Sequence, residues 1–209
     1  MKSIAINKEV QNSLTPKSVL DDLLEGNQRF INNNLQKADY QSLVNDTVAG
    51  QYPKAVVLSC IDSRVPVEQV FDQTIGDIFV ARVAGNFENT DILGSLEYSC
   101  AVAGSKLIFV LGHESCGAVK AACDGVELGN ITAMLDNIIP AIKESALDFE
   151  DDVNSSNKEF VAKTVEWNVR LTIERIREKS KILQEMEVNG EIEIVGGVYS
   201  LQTGKVNLL

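Results

Sequence analysis

The sequence predicts an α/β fold in which a mostly parallel β-sheet is flanked by helices. Three short apolar runs rich in β-branched residues support this prediction: residues 55–60, 77–85 and 106–112. Continuous apolar runs of this kind are typical of parallel strands that are buried on both faces. Segments with helical character, 66–71 and 89–104, lie between the runs, so strands and helices alternate along the chain.

An N-terminal helical arm is predicted over residues 1–50. Thr15 is placed to cap a helix whose first turn contains Pro16. Apolar residues then recur on one face of this helix: Val19, Leu20, Leu23, Leu24, Phe30 and Ile31. A stripe of this length must be buried against another surface.

The second half of the chain is predicted to continue the alternation. A helix should follow Ser115, and another should occupy residues 130–145, with Pro140 bending or ending it. The acidic segment 148–157, rich in Ser and Asn, predicts a loop.

The chain should end in one long amphipathic helix and an antiparallel strand pair with Gly204 at its turn. The residues after the acidic loop are too few for a second domain. We therefore predict a single domain over residues 1–209, made of the arm, a core at 51–147 that carries the site, and a C-terminal part at 148–209.

The composition disfavours several classes of partner. The chain has a formal charge of −11, whereas binding to nucleic acid requires clustered Lys and Arg. No stretch supplies the roughly 18 uncharged apolar residues that span a bilayer, and the first residues lack the apolar core of a leader peptide. We therefore expect a cytoplasmic protein without nucleic-acid or membrane partners.

Two strand ends carry the residues with the most distinctive chemistry. The segment CIDSR (60–64) follows the first predicted strand, and HESCG (113–117) follows the third. Carboxyl ends of neighbouring parallel strands meet at one edge of a sheet, so Cys60, His113 and Cys116 should face one point. Two thiolates and one imidazole are a good ligand set for Zn²⁺, and the following helix favours the thiolate of Cys116.

Each of these residues also has an ordinary structural interpretation. Cysteine is among the most buried residue types, and a histidine at a strand end can simply be hydrogen-bonded. The conjunction of the only histidine with two cysteines at one sheet edge favours the zinc site. Cys100 and Cys123 lie within predicted helices without such neighbours, and we interpret them as packing residues.

The paired segments CIDSR and HESCG, with ARVAGN (81–86) and GSLEY (94–98), resemble the β-class carbonic anhydrases. The resemblance extends from about Gln51 to Gly125. It implies a zinc enzyme that reversibly hydrates carbon dioxide to bicarbonate and a proton, by attack of zinc-bound hydroxide on CO2.

Asp62 and Arg64 are the predicted catalytic residues. Three protein ligands leave a fourth position on zinc for solvent, as in catalytic sites. In our hypothesis Arg64 pairs with Asp62, keeps the carboxylate off the metal and leaves it to accept a hydrogen bond from the solvent ligand. If Asp62 bound zinc instead, the ion would be saturated, and the resemblance implies that both arrangements occur among relatives. A capped helix start with a surface ion pair is the alternative interpretation.

The substrate pocket is predicted from similarity to the plant-like subtype of the family. There Gln51 would donate to one oxygen of CO2, and Phe79, Ala84 and Tyr98 would line an apolar wall. The family more often has valine where Ala84 stands. A second subtype carries a tryptophan at the position of Val57 and uses it in a regulatory bicarbonate site, so we expect no such regulation here. Without the resemblance, Gln51 reads as a loop residue and the aromatic residues as core.

Self-association and proton export are two further expectations. The resemblance implies a homodimer or tetramer whose active site lies at a dimer interface, with the N-terminal helices, and thus their apolar stripe, against the partner. Because His113 is already a predicted metal ligand, no second histidine is present to relay the proton. Turnover should therefore depend on external buffer.

Three alternatives use the same residues differently. A cysteine-dependent hydrolase would employ Cys60 or Cys116 with His113 as base. A non-catalytic zinc-binding module would keep Asp62 as a permanent fourth ligand. A hydrolase of CS2 or COS would have the same metal site and a different access tunnel.

Overall fold

The computed structural model describes residues 2–209 and shows a five-stranded sheet with helices on both faces. The strands are β1 (Ala55–Ser59), β2 (Ile78–Arg82), β3 (Leu107–His113), β4 (Glu193–Tyr199) and β5 (Val206–Leu208). Their order across the sheet is β2-β1-β3-β4-β5. The first four are parallel, and β5 pairs with β4 in the antiparallel direction. This arrangement confirms the predicted fold class, including the antiparallel C-terminal strand.

Helices cover both faces of the sheet. They are α1 (Lys8–Ser13), α2 (Pro16–Ile31), α3 (Tyr40–Thr47), α4 (Val67–Val70), α5 (Thr90–Glu97), α6 (Gly117–Cys123), α7 (Gly129–Leu135), α8 (Ile139–Ala146), α9 (Lys158–Lys179) and α10 (Lys181–Val188). A π-helical turn, Tyr98–Val102, continues α5. Within residues 2–209, none of the helices is long and apolar enough to cross a membrane.

The central strands are buried on both faces, which explains their uninterrupted apolar sequences. In β1, Val57 contributes to the hydrophobic cluster on the side of α2. Val56 and Leu58 contribute to the opposite cluster, which contains Val169 of α9. Alternate residues of a strand point to opposite faces, so a strand between two helical layers needs apolar side chains throughout.

The N-terminal helix α2 packs on the sheet of its own chain. Thr15 accepts a hydrogen bond from the backbone of Ser18, and the Ser18 side chain bonds back to Thr15, which forms a capping box at the helix start. Val19 and Leu23 are fully buried in the cluster that contains Val57. Val19 and Leu23 are therefore covered within one chain, and the expectation that a partner chain covers the stripe was wrong for these two residues.

Three predicted helices differ in their boundaries from those observed. The helix predicted over 89–104 widens into the π-helical turn after Glu97. Pro140 lies in the first turn of α8, where a missing N–H costs nothing, so the predicted helix 130–145 is two helices. Ser180 ends α9 and caps α10, which divides the predicted long C-terminal helix.

Candidate metal centre

Three potential metal ligands meet at the carboxyl edge of the sheet. Ser59, the last residue of β1, lies opposite Leu111 of the adjacent parallel strand β3. Cys60 therefore follows β1 beside the end of β3, where His113 is the last strand residue. Ser115 adopts a left-handed conformation with φ of 53°, which turns the chain sharply so that Cys116 caps the start of α6.

The geometry of this cluster fits a tetrahedral ion. The ligand atoms of Cys60, His113 and Cys116 all lie within 4.8 Å of one another, and all three residues are buried. The two sulfur atoms are 3.9 Å apart. Two thiolates bound to one tetrahedral Zn²⁺ at their usual bond length would be about 3.8 Å apart. The side chains are thus spaced for a shared ion without rearrangement.

The imidazole of His113 is oriented for coordination through Nε2. Its Nδ1 lies 2.9 Å from the carbonyl oxygen of Glu114, and because a carbonyl only accepts, Nδ1 must carry the proton. In the neutral ring Nε2 is then the acceptor, and it is buried without a hydrogen-bond partner among the described residues. A buried acceptor without a partner is costly, whereas a metal ion would satisfy it.

The two sulfurs of the cluster shift each other's pKa in opposite directions. The hydrogen bond between the Cys60 and Cys116 sulfurs lowers the pKa of Cys60, and the side chain of His113 and the backbone of Gly85 lower it further. The same hydrogen bond, together with burial, raises the pKa of Cys116. A metal ion that binds both sulfurs as thiolates must displace any proton that they hold.

Asp62 lies beside the cluster and is held by Arg64. The Arg64 guanidinium donates to both carboxylate oxygens, at 2.9 Å from Nε and 2.7 Å from Nη2. These bonds lower the pKa of Asp62 below its usual range. Oδ2 of Asp62 lies 3.9 Å from His113 Nε2, yet Asp62 does not belong to the group of mutually close ligand atoms. The carboxylate thus faces the cluster while its bonds to Arg64 restrain it.

Two further residues, which the sequence interpretation missed, shape the loop that carries Cys60. Arg82, at the end of β2, donates to the carbonyl of Cys60 at 2.8 Å and to that of Val65 at 2.7 Å. It therefore ties both ends of the CIDSR loop together. Gly85 donates its backbone N–H to the Cys60 sulfur at 3.4 Å. The sequence offered one signal for these residues, because both lie in the ARVAGN segment.

The predicted pocket residues are distributed over two places. Phe79 and Tyr98 contact each other, with ring centroids 6.4 Å apart, and line a cavity of about 580 Å³ beside β2 and α5. None of the three metal-cluster residues lines this cavity. Ala84 follows the end of β2, next to Gly85, and does not line this cavity, and Gln51 is exposed before β1. The chain by itself does not join the aromatic wall to the metal cluster.

The remaining cysteines have the packing environments that the sequence predicted. Cys100 is buried in the hydrophobic cluster under β1, and burial raises its pKa to about 12. Cys123 packs at the end of α6, where burial likewise raises its pKa. Neither residue joins the metal cluster.

Comparison with known proteins assigns the chain to a family. The sequence profile of the carbonic anhydrase family matches residues 55–206, which include the whole cluster. A solved β-carbonic anhydrase from Coccomyxa, in complex with acetazolamide, superposes with a TM-score of 0.73 at 28% identity, over 91% of this chain and 86% of that one. The chain belongs to the β-class carbonic anhydrases.

Curated relatives agree with this assignment over nearly their full length. Carbonic anhydrase 2 of Mycobacterium tuberculosis is 35% identical, and the alignment covers 92% of this chain and 92% of that protein. A carbonic anhydrase of Mycolicibacterium smegmatis is 34% identical, over 92% of this chain and 93% of its own. The predicted family and enzyme class, carbonate dehydratase, are thereby confirmed.

Proposed function

We propose that the chain catalyses the zinc-dependent reversible hydration of CO2 to bicarbonate and a proton. The observation that carries this proposal is the unpartnered, buried Nε2 of His113 beside two sulfurs spaced 3.9 Å apart. Family membership supports the reaction, and the donor set of two sulfurs and one nitrogen supports zinc as the ion.

Cys60, His113 and Cys116 would hold the ion. Bound zinc supplies a Lewis acid that activates water near neutral pH. The thiolates of Cys60 and Cys116 offset the charge of the ion, and the Glu114 carbonyl keeps His113 in the tautomer that presents Nε2. Three protein ligands leave one position for solvent, which is the arrangement of catalytic sites.

Asp62 orients the attacking solvent in this proposal. Both of its oxygens accept from Arg64, and each carboxylate oxygen retains capacity for a further hydrogen bond. Because the pKa of Asp62 is lowered, the group is an acceptor at neutral pH. The same pairing argues against the non-catalytic alternative in which Asp62 permanently occupies the fourth position, since binding the metal would compete with the hydrogen bonds from Arg64.

The apolar wall for CO2 would form when two copies of the chain associate. β2 is an edge strand, and Tyr98 beside it is 57% exposed. A second copy placed on this edge would cover Tyr98 and Phe79 and bring them to a metal centre, while Gln51 and Ala84 complete the pocket. We propose a homodimer as the minimum and a tetramer as a further possible assembly.

The plant-like subtype and the cytoplasmic location stay predictions from the sequence. Val57 is fully buried in the sheet, which supports the proposal that no regulatory bicarbonate site exists there. Sigmoidal inhibition by bicarbonate would contradict it.

Stopped-flow measurement of CO2 hydration on zinc-loaded protein tests the proposed function. We expect the wild type and Cys123→Ala to accelerate hydration and Cys60→Ala to leave it at the rate of the buffer. Cys123 is the matched control, because it is a cysteine at the end of α6 that does not belong to the cluster. A wild type that binds zinc and does not accelerate hydration would contradict the proposal.

A further inference from the structure

The turn formed by residues 83–86 holds a hydrogen-bond donor against a metal-ligand sulfur. The Gly85 N–H lies 3.4 Å from Cys60 Sγ. Gly85 has φ of 85°, and a Cβ there would approach Ile138 Cδ1 to 2.7 Å. A side chain at this position would be strained by the positive φ and would lie too close to Ile138. Glycine therefore suits the backbone conformation in which the N–H points at the sulfur.

The carbonyl of the same residue is held by a side chain from a distant helix. Asn168 Nδ2 donates to Gly85 O at 2.8 Å, and Asn168 is 1% exposed. Within residues 2–209, no other side chain donates to a carbonyl of the 83–86 turn. Among the described residues, Asn168 is therefore the one side chain that holds the Gly85–Asn86 peptide group from outside the turn, next to the Ala84–Gly85 peptide group that carries the N–H.

Helix α9, which carries Asn168, is seated closely on the sheet next to the imidazole ligand. A Cβ at Gly112, the residue before His113, would lie 2.7 Å from Val169 Cγ2. A Cβ at Gly196 of β4 would lie 2.5 Å from Val169 Cγ1. The helix thus packs closely on the sheet at Val169, the neighbour of Asn168. This close packing restrains the position of the Asn168 side-chain amide relative to the metal centre.

The same helix holds the chain again just beyond the turn. Glu88 is 1% exposed, and its Oε1 accepts from Arg175 Nε at 2.8 Å and from Lys179 Nζ at 2.8 Å. A buried carboxylate requires such partners. The segment from Gly85 to Glu88 is therefore attached to α9 at both ends, by the Gly85 carbonyl and by the Glu88 carboxylate.

We propose that Asn168 is a positioning residue of the metal centre. By holding the Gly85–Asn86 peptide group, it restrains the residue whose N–H, in the adjoining Ala84–Gly85 peptide group, lies against the Cys60 sulfur, and so limits the electron density that this thiolate donates to a bound ion. Hydrogen bonds to ligand atoms tune a metal site, and those to thiolate sulfurs are an established means of doing so. This inference depends on the proposed zinc site. Its consequence is a more Lewis-acidic ion despite two thiolate ligands.

Cobalt(II) substitution of Asn168→Leu tests the proposal. Leucine has a similar size and cannot donate. We expect the sulfur-to-cobalt charge-transfer bands to move to lower energy, because the Cys60 thiolate then donates more electron density to the ion. Thr164→Val is the control, because Thr164 is buried one turn away on α9 and donates to the carbonyl of Phe160 in its own helix. Charge-transfer bands that match those of the wild type in folded Asn168→Leu would overturn the proposal.

Nuclear magnetic resonance of the cadmium-113 form of the wild type tests the same geometry without relying on a variant to fold. We expect a scalar coupling between the cadmium ion and the Gly85 amide proton. We also expect a scalar coupling between Asn168 Nδ2 and the carbonyl carbon of Gly85, across the hydrogen bond that joins them. Absence of either coupling would overturn the proposal. A wild type that takes up neither cobalt nor cadmium would instead contradict the zinc site itself.

Discussion

The metal centre and the Phe79–Tyr98 cavity differ in how completely one chain builds them. The metal centre has its three ligand atoms within 4.8 Å of one another, buried and oriented by bonds from the same chain. The cavity lies along the edge strand β2, with Tyr98 57% exposed and none of the three cluster residues in its lining. One chain thus places all three potential metal ligands by itself. The proposed substrate wall, in contrast, is exposed in the single chain and would be completed by a second copy.

Of the changes that separate the two regions, removal of one metal ligand should have the largest effect, on the amount of bound zinc. We expect Cys60→Ala and Cys116→Ala to lose bound zinc almost completely, because two ligands cannot hold the ion in a tetrahedral site. Cys100→Ala should retain about one zinc per chain, because Cys100 packs under the sheet away from the cluster. Metal analysis after gel filtration gives the ratios. Retention of zinc by both cluster variants would contradict the assignment.

Replacement of Asp62 should reduce turnover and leave the metal in place. We expect Asp62→Asn to bind zinc normally and to lose about 100-fold or more in the hydration rate. Because Arg64 lowers the pKa of Asp62, the wild-type carboxylate stays charged well below neutrality, so the loss should be similar from about pH 6 to about pH 9. Asp151→Asn, at an exposed position in the loop before α9, is the carboxylate control. Full activity of Asp62→Asn would remove this residue from the mechanism.

Truncation of the cavity aromatics should have a smaller effect that depends on association. Tyr98→Ala and Phe79→Ala should keep their zinc and lower kcat/KM by about tenfold or less, since they remove part of an apolar wall. Sedimentation analysis should show whether the same variants weaken self-association. Val102→Ala, an exposed neighbour on the π-helical turn, is the control. A loss of zinc in the aromatic variants would show that the two regions are not separable.

Buffer concentration should change turnover the least. The only histidine of the chain is held in the metal cluster, so protons must leave through an external carrier. We expect the hydration rate to rise severalfold between dilute and concentrated imidazole buffer. This increase is no larger than the usual contribution of general acid–base catalysis to a rate. A constant rate would indicate that another group of the chain exports the proton.

The metal centre was predictable because its signals are local and its geometry follows from sheet topology. Cys60 and His113 end two apolar runs, and parallel neighbours necessarily place such ends together. Cys116 follows His113 at a spacing that one tight turn can close. The pairing of Asp62 with Arg64 needed only two residues of separation.

Other features depended on contacts that no local pattern contains. The apolar stripe of α2 gave no sign of whether its own sheet or a partner would cover Val19 and Leu23. The break at Ser180 interrupts a continuous amphipathic pattern. Asn168 reads in the sequence as one polar residue in a long helix, and its role depends on meeting Gly85 across a separation of 83 residues.

X-ray absorption spectroscopy at the zinc edge tests the central claim most directly. The wild type should show two sulfur atoms at about 2.3 Å and one imidazole nitrogen at about 2.0 Å from the ion, with one further light atom completing the set. Absence of zinc, or a shell composed only of nitrogen and oxygen, would contradict the assignment of Cys60, His113 and Cys116 as the metal ligands.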